Sequence, residues 1–142
     1  MKFTLHNKDL QPLVNVLDHL VIKNMKVNRG RAKLYSSLTR KLDEYAEDEK
    51  DILSEVAVIN DDGSFNFNDE GNIVLKGGVD YVKVNADISE LADEDVVLDA
   101  GEYQARYTAF FEWLADCEEE FTTTEVILID NLLEQFEEQE GE

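Results

Sequence analysis

Apolar and polar positions alternate over Lys2–His6, where Phe3 and Leu5 stand against Lys2, Thr4 and His6. A period of two predicts a short, half-buried strand. The period then changes. Leu10, Leu13, Val14, Leu17, Leu20 and Val21 recur at helical spacing. Asn7 is placed to cap this helix, and Pro12 restricts its start to near Lys8. Residues 23–30 read as a polar, basic connector. A long helix is expected from about Arg31 to Val58, because Leu38, Leu42, Tyr45, Ile52, Val56 and Ile59 keep a four-three rhythm. Leu34, Tyr35 and Leu53 flank that seam and Glu49 interrupts it. Asn60, Asp61, Asp62 and Gly63 stop the helix.

Residues 64–67 and 72–76 flank Asn68-Asp69-Glu70-Gly71 and predict a small hairpin. Residues 79–84 suit a helix or a strand. The helix over 80–91 is preferred, since Asp93-Glu94-Asp95 then breaks before a clear short strand, Val96-Val97-Leu98. That strand is expected to pair with Phe3–Leu5. Tyr103, Tyr107, Phe110, Leu114, Cys117 and Phe121 define the next helical stripe, with Phe111 and Trp113 beside it. A capping box, Thr122 to Glu125, opens a last helix buried along Val126, Ile129, Leu133 and Phe136. Residues 137–142 read as a frayed acidic tail. The pattern predicts a mainly α (α+β) fold of about five helices in a small bundle, two paired short strands and one small hairpin. At 142 residues, with no internal repeat and no linker in view, a single domain over 1–142 is the expectation.

Charge changes this picture. The 13 Lys+Arg and 33 Asp+Glu give a net charge of −20. Residues 1–41 carry nine basic and two acidic side chains, a net of +7, and residues 42–142 carry the remaining −27. Whole-surface attraction to nucleic acid or to anionic membranes is excluded by that total. The basic stretch 23–41 holds seven positive charges and no negative one, with Lys26, Arg29, Arg31 and Lys33 at its centre. It is read first as an internal counter-charge to the acidic helices and second as a binding patch. The first 22 residues lack the order of a signal peptide, and no apolar run reaches the roughly 18 residues of a membrane span. One cysteine excludes an internal disulfide and points to a reducing compartment, so a cytoplasmic location is expected.

Candidate chemistry is sparse. His6, His19 and Cys117 lack metal-site spacing, so no metal or other cofactor is expected. Asn66 to Gly77 imitates the front of a calcium loop but lacks the closing glutamate, and a hairpin turn explains it better. Acidic runs are commoner as solvated faces than as catalytic pairs, and a non-enzyme is the expectation.

The opening Phe3-Thr4-Leu5-His6-Asn7, the run Asn28-Arg29-Gly30-Arg31-Ala32-Lys33-Leu34 leading an acidic helix, the Asp61-Asp62-Gly63 turn, the 96–99 strand, Gly101-Glu102-Tyr103 and two closing acidic helices form a pattern. It resembles a small uncharacterised family of phage and prophage proteins from Gram-positive bacteria. The resemblance brings a genomic setting and no assigned activity. It suggests an accessory protein whose acidic helical surface binds a basic protein partner, as a decoy or inhibitor of a nucleic-acid-binding host machine, in the manner of a DNA mimic or an anti-CRISPR protein. The expected contacts are Asp93, Glu94, Asp95, Glu118, Glu119 and Glu120; the acidic surface itself binds no DNA. The alternative is a phage structural or assembly protein acting through an apolar patch or dimer seam at Trp113 or Phe111.

Overall fold

The computed structural model describes residues 1–141. Its elements run β1 (Lys2–His6), α1 (Asn7–His19), α2 (Met25–Val56), α3 (Tyr81–Ala92), β2 (Asp95–Asp99), a 3-10 turn (Gly101–Tyr103), α4 (Gln104–Asp116) and α5 (Thr123–Glu140). Five helices and one two-stranded antiparallel sheet make it a mainly α protein, as the pattern predicts. The chain divides into two compact units, Met1–Leu42 with Asp95–Glu142, and Asp43–Glu94. The cut falls inside α2, next to the change from basic to acidic composition after residue 41.

In the first unit, β1 and β2 pair with Phe3 opposite Leu98, Thr4 opposite Val97 and Leu5 opposite Val96. Phe3, Leu5 and Leu98 point inward and are buried, so the alternation in the sequence is the alternation of the sheet. The other edge of β1 is closed by side chains. Gln139 of α5 accepts from the Lys2 N–H at 2.7 Å and donates to the Lys2 carbonyl at 2.8 Å. Gln135, one turn earlier, does the same with Thr4, at 2.7 and 2.9 Å. Four residues of helix rise about 6 Å and two residues of strand about 6.6 Å, so the amides match successive outward groups of the strand. Of the acidic tail expected over 137–142, residues 137–140 continue α5, where Gln139 holds the strand, and Glu142 lies outside the described residues.

The core is aromatic. Phe3 lies 4.9 Å from Phe111 between ring centroids, and Phe111 lies 5.6 Å from Phe110 and 5.4 Å from Phe136. Leu10, Leu13, Val14, Val16 and Leu17 of α1 join it, while Val21, predicted on the same face, lies past the helix end and is exposed. α1 begins at Asn7, so His6, not Asn7, occupies the cap, its N–H donating to Asp9 Oδ2 at 3.3 Å. In α5 the buried positions are Ile129, Leu132 and Phe136; Leu133 is half-buried and Val126 is exposed. The predicted capping box is present, and the Thr122 hydrogen bonds hold the Glu125 carboxyl below its usual value.

The predicted basic connector is helix. α2 starts at Met25, capped by Asn24 Oδ1 accepting from Val27 N–H at 3.2 Å. Gly30 is no turn. It is buried within α2, and a Cβ there would lie 2.0 Å from the Arg106 carbonyl oxygen, so its bare backbone lets α2 and α4 approach closely. The stripe of α4 is shorter than its rhythm suggests. The helix ends at Asp116, and Cys117 is a half-buried, extended cap residue instead of a core position.

In the second unit, α2 ends at Val56, and the chain then makes three similar eight-residue passes, 57–64, 65–72 and 73–80. Bridges join Ala57 to Leu75, Ile59 to Phe65 and Phe67 to Ile73. The central residues form a closed ring of hydrogen bonds: Val58 N–H to Val74 O at 2.8 Å, Asn66 N–H to Val58 O at 3.1 Å, and Val74 N–H to Asn66 O at 2.8 Å. Three further bonds repeat at equivalent positions, Asn60 N–H to Ser64 O, Asn68 N–H to Asn72 O and Lys76 N–H to Val56 O, each at 2.8–2.9 Å; the first two close the turns within their own passes and the third ties the last pass to the end of α2. The expected hairpin is thus two sides of a three-sided, pseudo-threefold β motif, and an internal repeat is present after all. Its passes share an apolar-x-apolar triplet and turn residues but little identity. Gly63 (φ +85°) and Gly71 (φ +82°) close the first two turns at equivalent positions. α3 follows, capped by Asp80 Oδ1 accepting from Val82 N–H at 3.0 Å, which settles the ambiguous 79–84 stretch as helix.

Candidate functional site

The six acidic residues expected to meet a partner are not one helical surface. Asp93 caps the C-terminus of α3 and Glu94 follows it in the second unit. Asp95 opens β2 in the first unit, where its carboxylate lies 3.2 Å from His6 Nδ1 across the sheet. Glu118, Glu119 and Glu120 are exposed in the connector 117–122, because α4 stops at Asp116. Three residues placed on a helix by the heptad rhythm therefore stand on a loop.

The basic patch also divides. Arg31 Nη1 donates to the Leu17 carbonyl at 3.0 Å and its Nε to Asn28 Oδ1 at 2.7 Å, so its charge satisfies the carbonyl end of α1. Lys33 Nζ sits 4.3 Å above the Tyr103 ring, which Arg106 also approaches at 5.2 Å. Lys33, Ser36, Ser37 and Arg40 line a cleft of about 290 Å³ whose other wall, residues 99–103, contributes Asp99 and Glu102. Of the four, Lys26 and Arg29 are exposed, and Arg31 and Lys33 are half-buried. Arg31 and Lys33 are thus engaged within the fold, by a helix end and an aromatic ring and not by the acidic helices for which the sequence suggested a counter-charge.

The strongest feature lies in the second unit. Its 52 residues contain 16 acidic and three basic side chains, a net of −13. Few apolar side chains hold it together: Ala57, Val84 and Leu91 are its buried hydrophobic residues. Ile52, Leu53 and Val56, core positions by the α2 rhythm, are half-buried, and Ile59 is 41% exposed. A groove of about 400 Å³ runs between the end of α2 and α3. Ile52, Val56, Val79, Val84 and Leu91 form its apolar lining. Glu55, Asp80, Asp87, Glu90 and Glu94 supply five carboxylates and Lys83 one ammonium, which lies 3.8 Å from Asp87. On the other side of α3, a wider depression of about 700 Å³ is lined by Leu53, Ile73, Val74, Leu75, Tyr81, Val84 and Ile88, with Glu49 at its border. The local field is negative: the Tyr45 hydroxyl is held above its ordinary value, first by burial and then by Glu49 and Asp93.

Sequence reasoning named Glu94 of this groove and missed Glu55, Asp80, Asp87 and Glu90. Their signal was present, since 80, 83, 87, 90 and 94 recur at helical spacing beside the apolar positions. The alternative apolar seam loses one anchor. Phe111 is fully buried among Phe3, Phe110 and Phe136, while Trp113 is half-buried and stacks on Phe110 with centroids 6.2 Å apart. Among the described residues no cluster of His, Cys, Asp and Glu has metal-holding geometry, and no helix is long and apolar enough to cross a membrane.

Fold and site define a mainly α protein with a small antiparallel sheet and an acidic, thinly cored second unit. The chain belongs to the family described as Protein of unknown function (DUF1617), whose model matches residues 1–142. No curated protein and no solved structure matches it.

Proposed function

We propose that this protein is a non-enzymatic accessory protein that binds a basic protein partner through the acidic surface of its second unit. The observation that carries the reading is the concentration of −13 in residues 43–94, where so few apolar side chains are buried. Like charges held together oppose compactness, and a small core offsets little of that cost. Such a surface speeds association with a positively charged partner by steering. Asp87 and Glu90, one turn apart on α3, set carboxylates at about 5 Å intervals, a scale near that of phosphates along a nucleic-acid strand. Together with the resemblance to phage and prophage proteins of Gram-positive bacteria, this favours a decoy or inhibitor of a nucleic-acid-binding host machine, acting in the bacterial cytoplasm.

The test is affinity capture from a Gram-positive lysate, with the natural chain and with a Glu55→Lys, Asp87→Lys, Glu90→Lys, Glu94→Lys variant. Nucleic-acid-binding proteins should be retained by the natural chain, lost from the variant, and released by duplex DNA or by high salt. Retention that ignores both salt and charge reversal would reject the reading.

A further inference from the structure

We infer that the groove between the end of α2 and α3 seats an amphipathic basic helix of the partner protein. This deepens the reading of the protein as a binder of a basic partner and rests on it. A surface that acted by charge alone would need no apolar floor. Here Ile52, Val56 and Val79 remain half-buried beside Val84 and Leu91. The floor and the acidic border lie in the same groove, and Asp80, Asp87, Glu90 and Glu94 follow the line of α3 with Glu55 facing from α2. An apolar strip edged by carboxylates is the complement of a helix with an apolar stripe and Lys or Arg beside it.

Geometry favours a helix over an extended segment. Both walls are helices, whose backbone groups are already bonded within themselves, so an added strand would find no ladder to join. A helix brings its own backbone bonds and needs only side-chain contacts. α3 has 12 residues and is about 18 Å long, which accommodates about three turns of a partner helix. A second copy of this unit would meet the border with like charge and is disfavoured.

Two 14-residue peptides of identical Lys/Leu composition serve as probes, one with leucines at helical spacing and one shuffled to remove the stripe. Binding is followed by backbone amide shifts at about 150 mM ionic strength. The striped peptide should bind about tenfold more tightly, equivalent to about 1.4 kcal/mol, and should shift Val79, Val84 and Leu91. Glu90→Lys, an exposed change, should weaken both peptides. Val79→Ser, at a half-buried position before α3, should weaken the striped one alone, with unchanged amide spectra elsewhere certifying the fold. Equal binding of the two peptides, insensitive to Val79→Ser, would overturn the helix inference while leaving the charge-based reading standing. Failure of both peptides to bind even at low salt would overturn both.

Discussion

An alanine at position 30 would place its Cβ 2.0 Å from the Arg106 carbonyl oxygen and 3.0 Å from Phe110 Cβ. The first obstacle is backbone, which cannot rotate away, so α2 and α4 would have to separate. Gly30→Ala should therefore destabilise by about 1–3 kcal/mol despite alanine's higher helix propensity; urea unfolding that shows a gain would refute the close approach. Tyr107 illustrates a different residue-scale effect. Its hydroxyl is 2.8 Å from Ser37 Oγ, and burial, against smaller opposing effects from Ser37 and Arg40, raises its ionisation above the ordinary value. A raised value means that the native state holds the proton longer than the unfolded chain does. The associated stability is complete below about pH 10 and is lost as pH rises through the native value. Tyr107→Phe should cost about 1 kcal/mol at neutral pH and should flatten the decline in stability above pH 10.

At the scale of elements, the two glutamines of α5 stand in for a third strand. A two-stranded sheet is marginal by itself, and the outward backbone groups of Lys2 and Thr4 would otherwise face solvent as an open edge. Gln135→Leu and Gln139→Leu each remove an acceptor and a donor at once. Each should lower stability by about 1–2 kcal/mol. The specific mark is faster hydrogen exchange at the Thr4 amide in the first variant and at the Lys2 amide in the second. If both amides keep their protection, the side-chain strand is not what closes the edge. The three-sided motif is an element of another kind: its ring of hydrogen bonds through Val58, Asn66 and Val74 closes only when all three passes are present, so these three amides should exchange as one cooperative block.

At the scale of the molecule, charge and burial are distributed unevenly. The aromatic cluster and the sheet lie in the first unit, and the net −13 lies in the second. Salt screens repulsion between exposed carboxylates over a Debye length of about 8–10 Å. Raising the ionic strength from about 0.01 to 0.15 M should slow hydrogen exchange in residues 43–94 more than in the sheet and α5. An equal response in both units would mean that the acidic unit carries no excess repulsion.

Much of the fold was legible locally. Strand alternation, the Asp80 helix and the Thr122–Glu125 box depend on neighbours a few residues apart, and local periodicity reports such neighbours faithfully; the pairing of β1 with β2 joins distant residues and was expected because two short strands in one small fold have each other to pair with. Periodicity misled where it outran burial. The rhythm through Ile52, Val56 and Ile59 reads as core, yet Ile52 and Val56 border a groove and Ile59 is exposed beyond the helix end, because the pattern records a helical face without recording what covers it. The threefold motif escaped because its passes share backbone bonds more than side chains. The charge split at residue 41 was visible along the chain. That Arg31 serves the end of α1, that Glu118 to Glu120 stand on a loop and that Glu55, Asp80, Asp87 and Glu90 surround one apolar groove were decided by packing between segments distant in sequence. The sequence by itself determined most of the elements and the total charge, which rest on local periodicity and composition; only the tertiary structure decided which charges are used internally and which surround an open apolar groove.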